Sequence, residues 1–407
     1  MSSERRSTTL AAACALIVDC PHRTAPVTED EPFGYAVGTR AVVHGRIDLS
    51  AARPVDQTTY GAWTARAVPR EDDLILCREA PVGPVARVSG NARVCLGQRT
   101  VLLRPGPQTD ARFLQALLTS PPLQHQMRRV AEGSTVPHLN VSDVRALRVL
   151  LPPLSEQRAI ASILEPLDDK IESNRRLAVR SLDMVQTAFA RIAGQASRRV
   201  ALSEIADELR TRIQPTDTPS EIFEQFSIPA FDAGMGPEVC SGSTMASAKT
   251  LLPPSSVVLV SKLNPTTKRV WWPERHGVGT AVCSPEFVAL TPHRQRDAAW
   301  LFGCVAFDRS FYDQLLGAIS GTTGSRQRVR PSDVLAASVP FVEPGARDDW
   351  DSLANRVLAQ RVTLLRESRA LTAIRDALLP KLVSGQIRVP LSNDPEEQVG
   401  AAIEALA

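Results

Sequence analysis

The pattern of apolar and polar positions predicts two mixed stretches of strand and helix, each followed by a long helix. Short apolar runs broken by Gly and Pro predict strands at 73–77, 94–96, 101–103, 256–261 and 286–290. Apolar residues at helical spacing predict helices at 112–118 and 298–316. Strands and helices alternate irregularly within each stretch. The sequence therefore predicts an α+β (mixed α/β) fold with two globular domains.

Each mixed stretch is followed by a long run of apolar positions three and four residues apart, which is typical of a coiled-coil seam. Pro152-Pro153 and then Ser155 predict a helix that starts with Ser155 as its N-cap. Pro166 either kinks this helix or marks where its regular part begins. We expect the two helices, at about 155–194 and 350–386, to pair with each other; two unrelated surface helices are the alternative. The seam residues are Ile160, Leu164, Leu167, Ile171 and Val185, then Leu353, Val357, Leu364, Leu371 and Leu378.

A weak internal repeat with an offset of about 190 residues connects the two halves. Gly133-Ser134-Thr135 is answered by Gly321-Thr322-Thr323, and Val141-Ser142-Asp143-Val144 by Pro331-Ser332-Asp333-Val334. The same order at a nearly constant offset predicts a pseudo-two-fold chain. The predicted parts are a globular domain at 1–150, a central helix at 151–197, a second globular domain at 198–345, a C-terminal helix at 346–390 and a tail at 391–407.

Composition and cysteine usage narrow the class of protein. The chain has 407 residues, 43% hydrophobic and 22% charged, with a net charge of +3, which excludes a fully disordered chain and a surface that coats nucleic acid indiscriminately. The seven cysteines form no C-x-x-C pair, so we expect no metal site and a reducing, cytoplasmic location. Arg5-Arg6 before the apolar residues 10–18 resembles a short export signal, but Asp19 and Cys20-Pro21 stand where a cleavage site belongs.

Catalytic motifs are missing from the sequence. Asn264-Pro265-Thr266-Thr267 comes nearest to the Asn/Asp-Pro-Pro-aromatic site of an adenine methyltransferase, but it lacks the aromatic residue. The glycines between 317 and 324 are not followed by the Lys of a phosphate-binding loop. We therefore predict no catalytic residue, no cofactor and no metal ligand, and a chain that is not an enzyme by itself.

Three specific runs resemble type I restriction–modification specificity subunits. Leu151-Pro152-Pro153-Leu154-Ser155-Glu156-Gln157-Arg158 and the helix after it are similar to that family's central conserved region. Leu379-Pro380-Lys381-Leu382-Val383-Ser384-Gly385 is similar to its C-terminal conserved region, and Asp19-Cys20-Pro21-His22-Arg23-Thr24 to a recognition-domain motif. One departure is that Val342-Glu343-Pro344-Gly345 replaces the Pro-Pro-Leu-x-Glu-Gln run in the second half.

The resemblance implies a division of labour between domains and helices. Two target recognition domains each read one half of a split site in double-stranded DNA, and an antiparallel coiled coil spaces them. Methyltransferase subunits dock on the helices, and a restriction (translocating endonuclease) subunit joins for cleavage. Two alternatives stay open: a DNA-recognition subunit of another defence system without a methyltransferase, and a self-sufficient DNA methyltransferase or nuclease.

Basic and amide side chains beside turns are the candidates for DNA contact, because bases and phosphates accept hydrogen bonds from such groups. For Arg99 the alternative is a structural ion pair with a carboxylate such as Glu79, and for the residues from 262 to 269 it is a solvated basic hairpin. His138 taken alone is more typical of an ordinary surface residue. The candidates are Gln98, Arg99, Ser134, Thr135, His138, Lys262, Asn264, Lys268, Arg269, Arg326, Gln327 and Arg328.

Overall fold

The computed structural model describes residues 5–132, 137–232, 234, 236–319 and 327–387. Its residues group into two units, the first made of 1–175 with 366–407 and the second of 176–365. Both units contain strands and helices, so the predicted α+β class is confirmed. In the described part of the chain, no helix is both long and apolar enough to cross a membrane.

The first unit is built on short strands followed by helices. Its strands are β1 (Arg6–Thr9), β2 (Cys14–Asp19), β3 (Gly34–Val37), β4 (Val42–Val43), β5 (Arg46–Ile47), β6 (Arg53–Val55), β7 (Leu74–Arg78), β8 (Val82–Arg87), β9 (Val94–Leu96), β10 (Thr100–Pro105) and β11 (Arg148–Leu151). Its helices are α1 (Leu10–Ala13), α2 (Gln57–Trp63), α3 (Ala111–Thr119), α4 (Pro121–Ala131), α5 (Val141–Ala146) and the first half of α6 (Leu154–Ala193). The apolar residues 10–18 thus form a helical turn and a strand.

A four-stranded sheet in the order β2-β10-β7-β8 carries the core of the first unit. Because side chains alternate along a strand, Leu74 and Leu76 face the helices while Ile75 and Cys77 face a smaller sheet of order β6-β3-β9. The helical side of the core includes Phe113 and Leu114 of α3, Ile160 of α6 and the last turns of the C-terminal helix. β1 pairs with β11 antiparallel, so the strand that enters the domain lies beside the strand that leads into α6.

The second unit has a sheet of similar order beside a larger one. Its strands are β12 (Arg198–Ala201), β13 (Ala206–Glu208), β14 (Arg212–Ile213), β15 (Ile222–Phe226), β16 (Glu238–Ser241), β17 (Lys249–Leu251), β18 (Val258–Ser261), β19 (Val270–Trp271), β20 (Thr280–Cys283), β21 (Phe287–Pro292) and β22 (Ser338–Phe341). Its helices are α7 (Ile228–Asp232), α8 (Ala298–Phe307), α9 (Arg309–Gly317), α10 (Pro331–Ala336) and the first half of α11 (Pro344–Ser384).

Strand pairing in the second unit gives two sheets, β13-β21-β18-β19 and β14-β17-β20-β15-β16. β12 pairs with β22 antiparallel, so here too the entering strand lies beside the strand before a long helix. Phe189 of α6 packs against Trp300 and Trp350, with ring centroids 5.1 and 5.6 Å apart. Gly303 is required beneath Phe189, because a Cβ atom there would lie 2.6 Å from that ring. These aromatic contacts hold α6, α8 and α11 together within the unit.

The fourth residue of each long helix attaches it to its own domain. In α6, the buried Gln157 accepts a hydrogen bond from the Asp110 backbone N–H at 2.9 Å and donates to the carbonyls of Gln108 and Pro152 at 3.0 and 2.8 Å. This explains physically why a Gln closes the Pro-Pro-Leu-x-Glu-Gln run. Glu156 next to it pairs with Arg5, which also donates to the Val383 carbonyl at 2.9 Å.

In α11, Arg347 occupies the corresponding place. The Arg347 side chain is 4% exposed, pairs with Asp297 and with Asp351, and lies over the Trp300 ring at 4.8 Å. Asp110 directly precedes α3, which follows β10, and Asp297 directly precedes α8, which follows β21. Both long helices are therefore attached at the start of the helix that follows the corresponding strand. The departure from the Pro-Pro-Leu-x-Glu-Gln run therefore replaces an amide attachment with an ionic one.

The predicted seam residues are mostly buried within the chain itself. Ile160, Leu164, Ile171, Val185, Val357, Leu364 and Leu378 are buried, and Leu167 and Leu353 pack partly buried against the cores. Within the first unit Asp168 pairs with Arg375, and the buried Asn174 donates to Glu367 at 2.8 Å. The residue numbers of the partners on α11 thus decrease as those on α6 increase. The two helices pair antiparallel there, as the Val185–Trp350 contact in the second unit also indicates.

Three details of the helix prediction are wrong. α6 begins at Leu154, so Ser155 is inside the helix and not its N-cap; the Gln157 N–H already bonds the Pro153 carbonyl at 2.9 Å. α6 also continues through Pro166 from its first turn, so its regular part does not begin there. The single helix predicted at 298–316 is two helices, because Asp308 ends α8 and its side chain caps α9 through the Ser310 and Phe311 N–H groups.

We expect the stability of the second unit to fall as the pH rises from about 4 to about 6, because of Asp351. Burial raises the pKa of Asp351 from 3.8 to about 6, and the neighbouring Asp297 and Asp348 add to this while Arg347 opposes it. A raised folded-state pKa favours the protonated form, so this contribution to the unfolding free energy is present below about pH 4 and is lost as the pH rises through about 6.

The test compares thermal unfolding midpoints of wild type and Asp351→Asn between about pH 4 and 7.5. The variant should lose this part of the pH dependence and gain stability relative to wild type at the upper end. Asp349→Asn, at an exposed position of the same helix, is the control. Parallel curves for Asp351→Asn and wild type would contradict the assignment.

Candidate nucleic-acid interface

Three segments of the first unit meet where β7 ends, at a place we call the first junction (residues 78–80, 98–100 and 138–140). The Arg78 N–H donates to the Arg99 carbonyl at 2.9 Å, and the Arg78 carbonyl accepts from the Leu139 N–H at 2.8 Å. Glu79 and His138 form an isolated antiparallel bridge. The structure thus brings together Gln98, Arg99 and His138, which are separated by 40 residues in the sequence.

Arg99 is the most exposed cation of the first junction that is also fixed in place. Its Nε lies 3.1 Å from Glu79 Oε1, which is the ion pair considered as the structural alternative, while its side chain remains 50% exposed. Its φ of +68° is left-handed, a conformation that a non-glycine residue adopts rarely and mostly in turns or at functional sites. Gln98 beside it accepts a hydrogen bond from the Thr24 hydroxyl at 3.1 Å.

A cluster of charged side chains below the first junction was not predicted as a unit from the sequence. Arg78 is 9% exposed, donates to the Leu139 carbonyl at 3.1 Å, and its NH2 group lies 3.3 Å from His22 Nδ1. Asp19 lies 3.4 Å from Arg78 Nε and 3.0 Å from His22 Nε2. The cluster fixes the loop that carries His22 against the segment before α5. The motif at 19–24 marked this loop, but no local pattern pointed to Arg78 as its partner.

The second junction (residues 262–264, 286 and 327–330) has the same backbone pattern in the second unit. The Lys262 N–H donates to the Glu286 carbonyl at 3.0 Å, and the Lys262 carbonyl accepts from the Val329 N–H at 3.0 Å. Leu263 and Arg328 form an isolated bridge, and the Asn264 N–H donates to the Gln327 carbonyl at 2.8 Å. Lys262, Asn264, Gln327 and Arg328 are therefore neighbours, as candidates for one site must be.

An arginine is held by a carboxylate at the second junction as well. Arg328 donates to Glu286 Oε1 at 2.9 Å and its side chain is 55% exposed. Asn264 has a left-handed φ of +48°, and its carbonyl accepts from the Thr267 N–H at 2.9 Å to close the turn. In the second junction the acid, Glu286, directly precedes β21, and the arginine, Arg328, comes shortly before α10. In the first junction the arginine, Arg99, directly precedes β10.

Lys268 and Arg269 differ from the other candidates because both face groups of their own unit. Arg269 donates to both oxygens of Asp232, at 2.6 and 2.8 Å, and its side chain is only 11% exposed. That hydrogen bonding raises the pKa of Arg269. The Lys268 ammonium lies 5.4 Å from the centre of the Tyr312 ring, and desolvation lowers the pKa of Lys268. The two side chains therefore hold the hairpin through contacts within the second unit.

Some candidates fall outside the described residues. Ser134, Thr135 and Arg326 lie in the stretches 133–136 and 320–326, of which nothing is said. The described segments on their C-terminal side, at 137–140 and 327–330, are those that form the junctions.

The described residues contain neither a cluster suited to a metal ion nor, among the buried cysteines Cys77, Cys95 and Cys283, a reactive thiol. No group of three or more His, Cys, Asp or Glu side chains there is arranged to hold a metal ion. Burial raises the pKa of the Cys77, Cys95 and Cys283 thiols to about 12, so these thiols are protonated and poorly nucleophilic at neutral pH.

Comparison with known proteins is consistent with this geometry. Residues 64–179 match the family model described as type I restriction modification DNA specificity domain. A curated relative, the type I restriction enzyme MjaIX specificity subunit of Methanocaldococcus jannaschii, is 26% identical over 103 residues. That match covers 25% of this chain and 23% of the relative's length. The crystal structure of the type I restriction–modification S subunit from M. genitalium superposes with a TM-score of 0.55 at 14% identity, covering 94% of this chain and 96% of that one.

The match of residues 64–179 to the type I restriction modification DNA specificity domain confirms the family resemblance found in the sequence. The structural likeness adds that the fold of nearly the whole chain is the fold of an S subunit. The matched residues 64–179 include β7 and β10, the strands that end and begin at the first junction, and more than half of α6.

We expect Arg269 and Lys262 to respond differently to truncation. Arg269→Ala should lower the unfolding free energy by about 1–2 kcal/mol, because it leaves Asp232 without its partner and opens a largely buried site. Lys262→Ala should stay within about 0.5 kcal/mol of wild type, because Lys262 is partly exposed and its side chain forms no ion pair in the part of the chain that the structure describes. Urea denaturation of the three proteins decides this. Equal losses for both variants would contradict a structural role specific to Arg269.

Proposed function

We propose that this protein is the sequence-specific DNA-recognition subunit of a type I restriction–modification complex in the cytoplasm. It reads a bipartite target in double-stranded DNA, docks methyltransferase subunits, is joined by the restriction subunit in the full complex, and catalyses nothing itself. The match of residues 64–179 to the DNA specificity domain carries the proposal, since it contains the strands of the first junction.

The shared construction of the two units supports a target read in two parts. Both junctions use the same two backbone hydrogen bonds, and both are followed by a short helix capped by an aspartate. Asp143 accepts from the Asn140 N–H at 2.9 Å, and Asp333 from the Arg330 N–H at 3.2 Å. We infer a pseudo-two-fold repeat with recognition domains at 1–150 and 198–345, helices at 151–197 and 346–390, and a tail at 391–407.

The DNA-contacting surface in this proposal is the pair of junctions. Gln98, Arg99 and His138 serve the first, and Lys262, Asn264, Gln327 and Arg328 serve the second. Ser134, Thr135 and Arg326 lie outside the described residues and stay candidates from the sequence alone. Their side chains are amides and cations, which suit base edges and phosphates. Lys268 and Arg269 hold the hairpin of the second junction in place through their contacts with Tyr312 and Asp232.

Docking of methyltransferase subunits needs helix residues that are exposed, and the buried seam residues do not qualify. Leu177 and Met184 of α6 are 45% and 49% exposed. They are seven residues apart, so they lie on the same face of the helix. Contiguous exposed apolar surface marks protein contacts, and these two side chains are the apolar candidates for such a contact on this face of α6. We infer that this face of α6 takes part in docking.

Exchange of residues 1–150 for another recognition domain of the family should change one half of the modified DNA motif and leave the other half unchanged. The measurement is a map of methylated sites in cells that express the chain with its methyltransferase subunit. A change in both halves, or in neither, would contradict modular recognition, and a complete absence of methylation would favour a defence system without a methyltransferase.

The double variant Leu177→Asp/Met184→Asp should fail to copurify with methyltransferase subunits while keeping its thermal midpoint, because both positions are exposed. Val179→Asp is the matched control, since Val179 is 62% exposed and about 200° around the helix from Leu177. Normal stoichiometry of the complex formed by the double variant would contradict docking on this face.

A further inference from the structure

We propose that Arg99 reads a guanine in the first half of the target and that Glu79 is its positioning residue. This inference rests on the proposed DNA-recognition function and names the residue that would recognise one base pair. It follows from the geometry and the charge balance of the Arg99–Glu79 pair.

The pair leaves the outer part of the guanidinium group available. Glu79 Oε1 lies 3.1 Å from Nε of Arg99, which is the nitrogen nearest the chain. Within the described ranges Arg99 has no other side-chain partner, so both terminal amino groups remain as donors. The hydrogen bond from Arg78 holds the Arg99 backbone, and the contact of Nε with Glu79 restrains the guanidinium group before DNA arrives.

The charge of the pair distinguishes base readout from phosphate binding. An isolated arginine is attracted to the DNA backbone and releases counterions when it binds. An arginine joined to a carboxylate has almost no net charge, and Glu79 at 26% exposure would itself be repelled by a phosphate. Directional hydrogen bonds to an uncharged base edge do not suffer from this repulsion. The pair is therefore suited to a base and poorly suited to the backbone.

Guanine is the base that matches two parallel donors. In the major groove its O6 and N7 atoms are adjacent acceptors, and a fork of two N–H groups bonds both at once. Adenine offers one acceptor beside a donor amino group, which would face an N–H of Arg99. A lysine would not replace this fork, because its ammonium group is a point charge without fixed geometry.

The second junction shows a related but rearranged pair. Arg328 is held by Glu286 at 2.9 Å, with the acid before the central strand and the arginine before α10. A carboxylate-held arginine thus occurs at each junction, on a different segment. The presence of an arginine paired with a carboxylate at both junctions supports a common role for such pairs in recognition.

The experiment selects binding sites from a random DNA pool with the full-length chain, together with its methyltransferase subunit if the chain requires it. Wild type, Arg99→Gln, Arg99→Lys and Glu79→Gln are compared, and Arg40→Gln, at an exposed position of the same domain, is the control for loss of one positive charge. The salt dependence of affinity is then measured on one selected duplex and on its variants at the guanine position.

Both Arg99 variants should keep the wild-type motif except at one guanine, where the preference should fall roughly tenfold or more. The slope of log affinity against log salt should be nearly unchanged for Arg99→Gln. Glu79→Gln should free the arginine for phosphates, so that nonspecific affinity rises, the slope steepens by about one and the guanine preference weakens. Arg40→Gln should leave the motif intact.

Two results would overturn the inference while leaving the proposed function in place. One is an unchanged motif for both Arg99 variants. The other is a uniform loss of affinity for Arg99→Gln with a slope reduced by about one, which identifies a phosphate contact. If wild type selects no motif at all, the proposed function itself fails. Thermal midpoints of all variants exclude unfolding as the cause, and a purely structural role of Glu79 would not change the salt slope.

Discussion

The attachment of each long helix to its own domain is the constraint on which the rest of the structure depends. An antiparallel strand pair, β1 with β11 or β12 with β22, ends directly before the helix. The fourth residue of the helix then contacts the start of α3 or α8, through Gln157 in one unit and Arg347 in the other. The helix cannot rotate without breaking buried polar contacts, and an unpaired buried polar group costs on the order of 1–3 kcal/mol.

This attachment also places the junctions. The central strands β10 and β21 begin at the junction and lead to α3 and α8, whose first residues receive the helix contacts. A junction thus lies where each of these strands begins, and a helix attachment lies five residues after the strand ends. In the proposed function, this strand transmits the position of the helix to the residues that read the bases.

Much of this fold was readable from the sequence because it depends on local patterns. The apolar runs found β7, β9, β10, β18 and β21 to within two residues at each end, and the helical spacing found α3, α6 and α11. The prediction of the buried seam of α11 was correct at some positions and not at others. Val357, Leu364 and Leu378 are buried as predicted, whereas Leu371 is only partly buried. Ala354 and Ser368 are also buried, and burial lowers the pKa of Arg361, although none of these three was predicted in the seam. Arginine and serine carry no hydrophobic signal, whereas the exposed Ile374 does.

The junctions were only partly predictable. The candidates came from residue type and nearby turns, which found Arg99, Asn264 and Arg328. Glu79 was named as a partner of Arg99, but Glu286 as the partner of Arg328 and the contact of Arg78 with Asp19 were not foreseen. These groups lie at the ends of different strands, and sequence spacing does not show which strands are neighbours. The net charge is only +3 because 47 Lys and Arg residues are nearly balanced by 44 Asp and Glu residues. The ion pairs at the junctions hold arginine hydrogen-bond donors at defined points.

The central claim, that both junctions form the DNA-reading surface, is tested most directly by hydrogen–deuterium exchange of the full-length chain with and without a duplex that carries its modified motif. The account predicts slower exchange of backbone amides at both junctions, in residues 97–100 and 138–141 and in residues 262–265 and 327–330, and no comparable change around Leu177 and Met184 on α6. Protection confined to the helices, with both junctions exchanging as in the free protein, would contradict it.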